Sequence, residues 1–182
     1  DYWANDYFDD TYYHNGKPEK YKGYCTDIWF EEGLKFIEKN KNEQFFVYLA
    51  TNAPHLPYVV AEKYRKMYPG IETGLQEFYG MITNIDDNIG RLREKLRKLK
   101  LEDNTILIFI TDNGSSRGSE AYNAGMRGGK GSQWDGGHRV PFFIYWANGN
   151  IKTGRNINVL TAGIDLLPTL VELCQLKRPE GP

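Results

Sequence analysis

The chain reads as a layered α/β domain with a mostly parallel sheet, and three observations predict it. Short apolar runs at 44–50 (QFFVYLA), 106–110 (ILIFI) and 140–146 (VPFFIYW) have the β-branched and aromatic character of buried strands. Helical periodicity lies between them, most clearly over 73–100, where Leu75, Phe78, Ile82, Ile85, Ile89, Leu92, Leu96 and Leu99 recur in steps of three and four. The strand-like runs also end in polar loops punctuated by glycine or proline, which is where open α/β sheets bind ligands.

Composition sets the bounds. A chain of 182 residues, 40% hydrophobic and 26% charged, fits one soluble globular domain with a real core. A net charge of −1 creates no general field toward nucleic acid or a membrane surface. No apolar stretch approaches the roughly 18 residues of a transmembrane helix. Cys25 and Cys174 are too few for a disulfide scaffold or a zinc site and leave room for one bridge at most. The 13 tyrosines point first to aromatic packing and second to ring-stacking surfaces. The start, Asp1-Tyr2-Trp3, has no initiator Met, and the end, Arg178-Pro179-Glu180-Gly181-Pro182, reads as an exit linker, so the sequence suggests a piece of a longer protein.

Taken in order, residues 1–24 form an aromatic lead-in, irregular or folded as a short hairpin around Asn15-Gly16. Residues 25–176 form the body and 177–182 leave it. Thr26 or Asp27 is the expected N-cap of a helix that runs to about Asn40 through Ile28, Phe30, Leu34, Phe36 and Ile37. The run at 44–50 ends in Thr51-Asn52-Ala53-Pro54-His55-Leu56-Pro57, so a strand end delivers His55 between two backbone-restricting prolines. A short helix over 61–68 stops at Pro69-Gly70, and the long helix 73–100 covers the sheet. Its basic end, Arg91 to Lys100, suits the helix dipole and reads as a solvated face rather than a patch for an anionic polymer. A final helix spans 163–175, with Pro168 near its start.

The chemistry gathers in 106–139. The strand is followed by Thr111-Asp112-Asn113-Gly114, a carboxylate and an amide that turn together at a strand end and supply the hard oxygens Ca²⁺ or Mg²⁺ take. The same letters also form a common turn, and Asn113-Gly114-Ser115 matches a glycosylation sequon. The glycine-rich loop that follows carries Arg127, Lys130, Gln133, Trp134, His138 and Arg139. Residues 125–132 resemble a phosphate-binding loop but depart from it at Ala124 and Gly131, which leaves Lys130 as an unhindered cation in what is otherwise a surface turn. Arg139 suits a bracing role. Gln133, Trp134 and Tyr122 are candidates to line a pocket.

In order and spacing, these segments resemble the sulfatase family of the alkaline-phosphatase-like superfamily: Asn52–Pro57, Ile110–Gly114, Gly129–Ser132, Gly136–Pro141 and Gly163–Leu170. The resemblance covers essentially the whole chain. It implies a three-layer α/β/α fold, present here as a partial domain, and hydrolysis of aryl or carbohydrate sulfate esters. Asp112 and Asn113 would be Ca²⁺ ligands. Lys130 would hold a sulfate oxygen, and His55 would contact the ester and protonate the leaving oxygen. Gln133 and Trp134 would border the substrate, with Arg127, His138 and Arg139 behind. The family's nucleophile is a formylglycine made in a Cys/Ser-x-Pro-x-Arg motif, and neither Cys25-Thr26-Asp27 nor Cys174-Gln175-Leu176 fits it. The family's early Asp-Asp pair of metal ligands is also missing, since no apolar strand precedes Asp9-Asp10. The resemblance therefore implies a middle-to-C-terminal part of the catalytic domain, inactive alone, partnered by the missing part and exported to the periplasm or beyond. Two alternatives stay open: a phosphodiesterase or phosphonate hydrolase of the same superfamily, or a non-catalytic carbohydrate-binding domain.

Overall fold

The computed structural model describes residues 6–149, 151 and 154–177. They divide into two compact units, with the boundary after Gly149. Most of the segment expected to be an exit linker, 178–182, lies outside the described residues.

The lead-in is a hairpin. Strands β1 (Thr11–His14) and β2 (Lys17–Lys20) pair antiparallel, with Thr11 opposite Lys20 and His14 opposite Lys17. Asn15 at φ 50° and Gly16 at φ 80° form the two-residue turn whose left-handed backbone matches strand twist, as Asn-Gly foretells. Asp9 and Asp10 serve this structure: their carboxylates accept from the backbone N–H groups of Gly23 at 2.8 Å and Thr11 at 2.7 Å.

Helix α1 (Cys25–Lys39) packs along α3 (Thr73–Lys98), with the single turn α2 (Glu62–Arg65) against α3. The expected N-cap of α1 is corrected. Tyr24 occupies that position without a side-chain bond, and Thr26 is fully buried. Asp27 instead turns its carboxylate toward α3, where Oδ1 accepts from Asn84 Nδ2 at 2.8 Å and Asn88 Nδ2 at 2.7 Å. Arg91 Nη1 then donates to Asn88 Oδ1 at 2.7 Å, and Nη2 donates to Glu31 at 2.9 Å. Asn84 and Asn88 are 0% and 1% exposed, whereas Ile82, a member of the predicted apolar stripe, is 43% exposed. The inward face of α3 is thus rotated toward a polar seam, because two buried amides need partners and Asp27 supplies them. The basic end of α3 is a paired, solvated face: Lys95 meets Glu38 at 2.7 Å, Lys98 meets Glu94 at 2.7 Å and Arg97 meets Glu102 at 3.3 Å.

Phe30, Leu34 and Ile37 of α1 and Leu92 and Leu96 of α3 make one core cluster, on which Phe45, Val47, Leu49 and Leu107 pack. Residues 44–50 alternate as a strand should, since Phe46 and Tyr48 between them are 77% and 79% exposed. They form no ladder, however, because no neighbouring strand among the described residues offers them hydrogen bonds. Strands β3 (Leu107–Ile110) and β4 (Phe142–Tyr145) pair antiparallel, Leu107 opposite Tyr145 and Ile110 opposite Phe142. The mostly parallel sheet expected from the sequence is therefore not formed among the described residues, where both pairings are antiparallel. A parallel pair needs a crossover element, and the segment between β3 and β4 is a loop whose only helix is the single turn α4 (Asp135–His138). In the second unit a 3₁₀ turn, Gly163–Asp165, leads into α5 (Leu166–Leu173), with Pro168 in its first turn as predicted. No helix among the described residues is long and apolar enough to cross a membrane.

Candidate functional site

Two loops carry the predicted chemistry, and each is held by its own device. The first follows 44–50 and presents His55, whose side chain is exposed. Its backbone N–H donates to Asn52 O at 2.9 Å, and its ring Nδ1 lies 3.0 Å from Leu56 O. A carbonyl can only accept, so Nδ1 carries the proton and Nε2 is the nitrogen left for other work. The peptide bonds before Pro54 and Pro57 are cis. Buried Tyr7 donates its hydroxyl to His55 O at 2.7 Å, and buried Tyr24 donates to Val59 O at 2.9 Å. The Cys25 thiol donates to Asn52 Oδ1 at 3.4 Å.

The second loop runs from the end of β3. Asp112 is exposed and accepts from Asn113 Nδ2 at 2.9 Å. Glycines lock this turn to the loop behind it. Gly114 N–H donates to Gly137 O at 2.9 Å, and a β-carbon at Gly114 would fall on Gly136 O. Gly136 N–H donates to Arg127 O at 2.8 Å, with the Gly128 carbonyl where its β-carbon would sit. Lys130 N–H reaches Ser115 O at 2.9 Å. Backbone is packed directly on backbone, which only residues without Cβ allow. Asp112 and Lys130 are thus held on one lock, and the exposed Lys130 ammonium makes no ion pair among the described residues. The Arg127 guanidinium stacks 3.8 Å over the Trp134 ring, so these two form one unit rather than separate wall and brace. Gln133 and His138 are exposed. Arg139 stands at 4.0 Å from Asp135, a weak brace on a solvated pair.

Phe78 on α3 joins the two loops. Its ring meets Tyr58, three residues beyond His55, edge-on at 5.5 Å. On the other side Gly118, at φ 80°, lies so close that a β-carbon there would be 3.2 Å from Phe78 Cε1. Arg117 pairs with Glu72 at the start of α3, and the Glu72 carboxyl is held below its usual range first by the Gly74 backbone N–H. Both loops therefore rest on one end of one helix.

A divalent cation fits this donor set in kind and not in number. Asp112 and Asn113 offer hard oxygens, yet calcium takes about six to eight. Among the described residues no three His, Cys, Asp or Glu side chains converge as a metal site. The tyrosine clamps and the Phe78 joint escaped the sequence reading, which had no way to pair residues 48 positions apart. The glycines were visible as a glycine-rich loop, but not as interlocking backbones.

Comparison with known proteins identifies the family. A sulfatase family model matches residues 1–176. An uncharacterised sulfatase of Escherichia coli is 30% identical over 164 residues, covering 87% of this chain and 29% of the relative. The human N-acetylgalactosamine-6-sulfatase is 34% identical over 160 residues, covering 85% of this chain and 29% of the relative. The solved structure of Ps i-CgsB in complex with k-i-k-neocarrahexaose superposes with a TM-score of 0.86 at 36% identity, over 92% of this chain and 38% of that one. The chain therefore spans well under half the length of each of these three relatives.

Proposed function

The chain belongs to the sulfatase family, and from that premise we propose that it forms the metal- and sulfate-binding part of a sulfuric ester hydrolase, the nucleophile coming from sequence outside it. The observation that carries this reading is the shared lock. Asp112, Asn113 and Lys130 sit on one glycine-packed scaffold at the end of β3, beside a loop that presents His55, and Phe78 joins the two. The three-layer sheet, with 1–182 as a single partial catalytic domain, belongs to the same proposal. The exposed apolar side chains Phe46, Tyr48 and Phe143 supply a surface for the rest of that domain.

Each side chain then has a task. Asp112 and the Asn113 amide oxygen would hold calcium together with carboxylates from outside the chain. When bound, that ion would lower the cost of negative charge on the sulfate. Lys130, with no ion-paired carboxylate among the described residues, binds a sulfate oxygen and counters charge that grows on the ester as its S–O bond breaks. His55 Nε2, protonated, gives its proton to the leaving oxygen, while the Nδ1–H···O=C bond to Leu56 fixes the ring. Trp134, with Arg127 beneath it, and Gln133 border the substrate. His138 and Arg139 support the turn that carries Gly136 and Gly137. The substrate class is an aryl or glycan sulfate, in keeping with an ulvan-active sulfatase of Formosa agariphila, 30% identical over 207 residues. An exported protein suits calcium held by oxygens.

Peptide mass spectrometry of the full-length protein tests the proposal. A formylglycine aldehyde in a Cys/Ser-x-Pro-x-Arg segment is the expected result. An unmodified Thr or Ser nucleophile would move the assignment to phosphoester hydrolysis, and the absence of any nucleophile would leave a carbohydrate-binding domain.

A further inference from the structure

Tyr7 and Tyr24 lie at the foot of the β1–β2 hairpin, far from His55 in sequence, yet both hydroxyls end on the His55 loop. Tyr7 donates to the carbonyl of His55 itself and Tyr24 to that of Val59, at 2.7 and 2.9 Å. The two rings stack with centroids 5.8 Å apart, and Tyr24 also forms an antiparallel bridge with Phe8. Tyr7 is 1% exposed and Tyr24 3%. Tyr7 also holds a φ of 61°, the left-handed region that a bulky side chain adopts only when its surroundings compel it. Here the compulsion is visible: Cys25 N–H binds Tyr7 O at 2.8 Å, and the ring is sealed among Tyr24, Cys25, Ala53 and Met81.

We infer that Tyr7 and Tyr24 are positioning residues that hold the His55 loop, so that the imidazole meets the leaving oxygen of the ester in one orientation. This inference rests on the proposed role of His55 as proton donor. The two hydroxyls fix the loop at His55 and at Val59. Between them the ring is set by its own bond to Leu56 O. Burial pushes the Tyr7 phenol up to about 12, so at neutral pH it remains a hydroxyl that can donate. An exposed histidine on an unclamped loop would spread over several rotamers, whereas proton transfer needs near-contact geometry. The hairpin therefore acts as a strut on which the acid is mounted.

The test uses the full-length protein with Tyr7→Phe and Tyr24→Phe, which keep the ring and remove only the hydroxyl. Two esters are compared, an aryl sulfate whose phenolate leaves without help and an alkyl sulfate whose alkoxide needs a proton. Tyr7→Phe should lower kcat on the alkyl sulfate about tenfold with KM unchanged within twofold, and change the aryl sulfate by less than about threefold. His55→Ala should show the same selectivity more strongly, about 10²-fold or more on the alkyl ester. Equal losses on both esters, or none, with His55→Ala still selective would overturn the positioning role. If His55→Ala shows no selectivity, the assignment of His55 as acid fails instead. A readout independent of turnover is the ¹⁵N spectrum of the His55 ring. At a pH where the imidazole is neutral it should report Nδ1–H in the parent protein and averaged tautomers in Tyr7→Phe, and an unchanged spectrum in that variant would also overturn the inference.

Discussion

Gly136→Ala is the sharpest probe of the lock beneath the site. Its φ is not in the left-handed region, so alanine brings no backbone strain, and only space is at issue. The new methyl would fall on the Gly128 carbonyl oxygen and stand 2.8 Å from Arg127 O, both backbone atoms that no rotamer change can move. Ordinary contact begins at 3.4 Å, so relief requires the 127–129 segment to retreat by more than an ångström, and the Gly136 N–H···O=C bond to Arg127, now 2.8 Å, stretches or breaks. Overpacking of this kind costs about 1–3 kcal/mol and the lost bond about 1 kcal/mol. Lys130 lies two residues beyond Gly128, and a displacement near 1 Å costs on the order of 10²-fold in rate. The assay is kcat/KM of the full-length protein on a sulfate ester, with a thermal melt alongside. Gly90→Ala is the control: it sits on α3 with open space around it and should stabilise the protein by about 0.5–1 kcal/mol without touching activity. Unchanged activity and melting temperature in Gly136→Ala would refute the lock.

Other outcomes follow from the same geometry. Asp27→Leu strands the Asn84 amide and leaves that of Asn88 only its bonds to Asn84, and should lower the denaturant-derived stability by about 2–4 kcal/mol; a loss below about 0.5 kcal/mol would show that water satisfies them. Tyr7, Tyr12 and Tyr24 all ionise above the ordinary phenol range, because burial disfavours phenolate and the Cys25 sulfur adds to it. Folding raises these values, so their contribution is complete below the unfolded value near 10 and is lost as pH climbs from about 10 to about 12 for Tyr7. Stability should fall in that window by up to ~1.4 kcal/mol per pH unit for each group, less steeply in Tyr7→Phe, and a flat profile would contradict it. The 182-residue chain alone should release no sulfate and bind calcium more weakly than about 1 mM by calorimetry; micromolar binding would mean that it holds a full ligand set.

Much of this architecture was legible in local patterns. Asn15-Gly16 named its turn because few other residue pairs tolerate two consecutive left-handed positions. The helices at 25–39 and 73–98 followed from apolar spacing, and β3 and β4 from their continuous apolar runs. The polar seam was not legible, because an asparagine in an amphipathic pattern reads as a solvent-facing residue until its partner is known. Asn84 and Asn88 find theirs in Asp27, 57 and 61 positions away. Sheet direction was equally hidden: the runs announced strands, and the return path from Ile110 to Phe142 decided their pairing. At the site, the order of motifs picked out the residues proposed to carry chemistry, His55 and Asp112 as polar letters just after apolar runs and Lys130 as a cation in a glycine-rich loop. What holds them was hidden, because hydroxyl-to-carbonyl clamps and glycine-to-glycine contacts depend on backbone paths and leave no periodic trace.

The central claim is that Lys130 and Asp112 act on the sulfate of an ester substrate. It is tested most directly by measuring sulfate release from an aryl sulfate by the full-length protein and by its Lys130→Ala and Asp112→Ala variants at saturating calcium. The account predicts turnover by the parent protein, and a loss of about 10²-fold or more in kcat in each variant with the fold intact. Undiminished turnover in Lys130→Ala, or a parent protein that cleaves phosphate esters and leaves sulfate esters untouched, would contradict it.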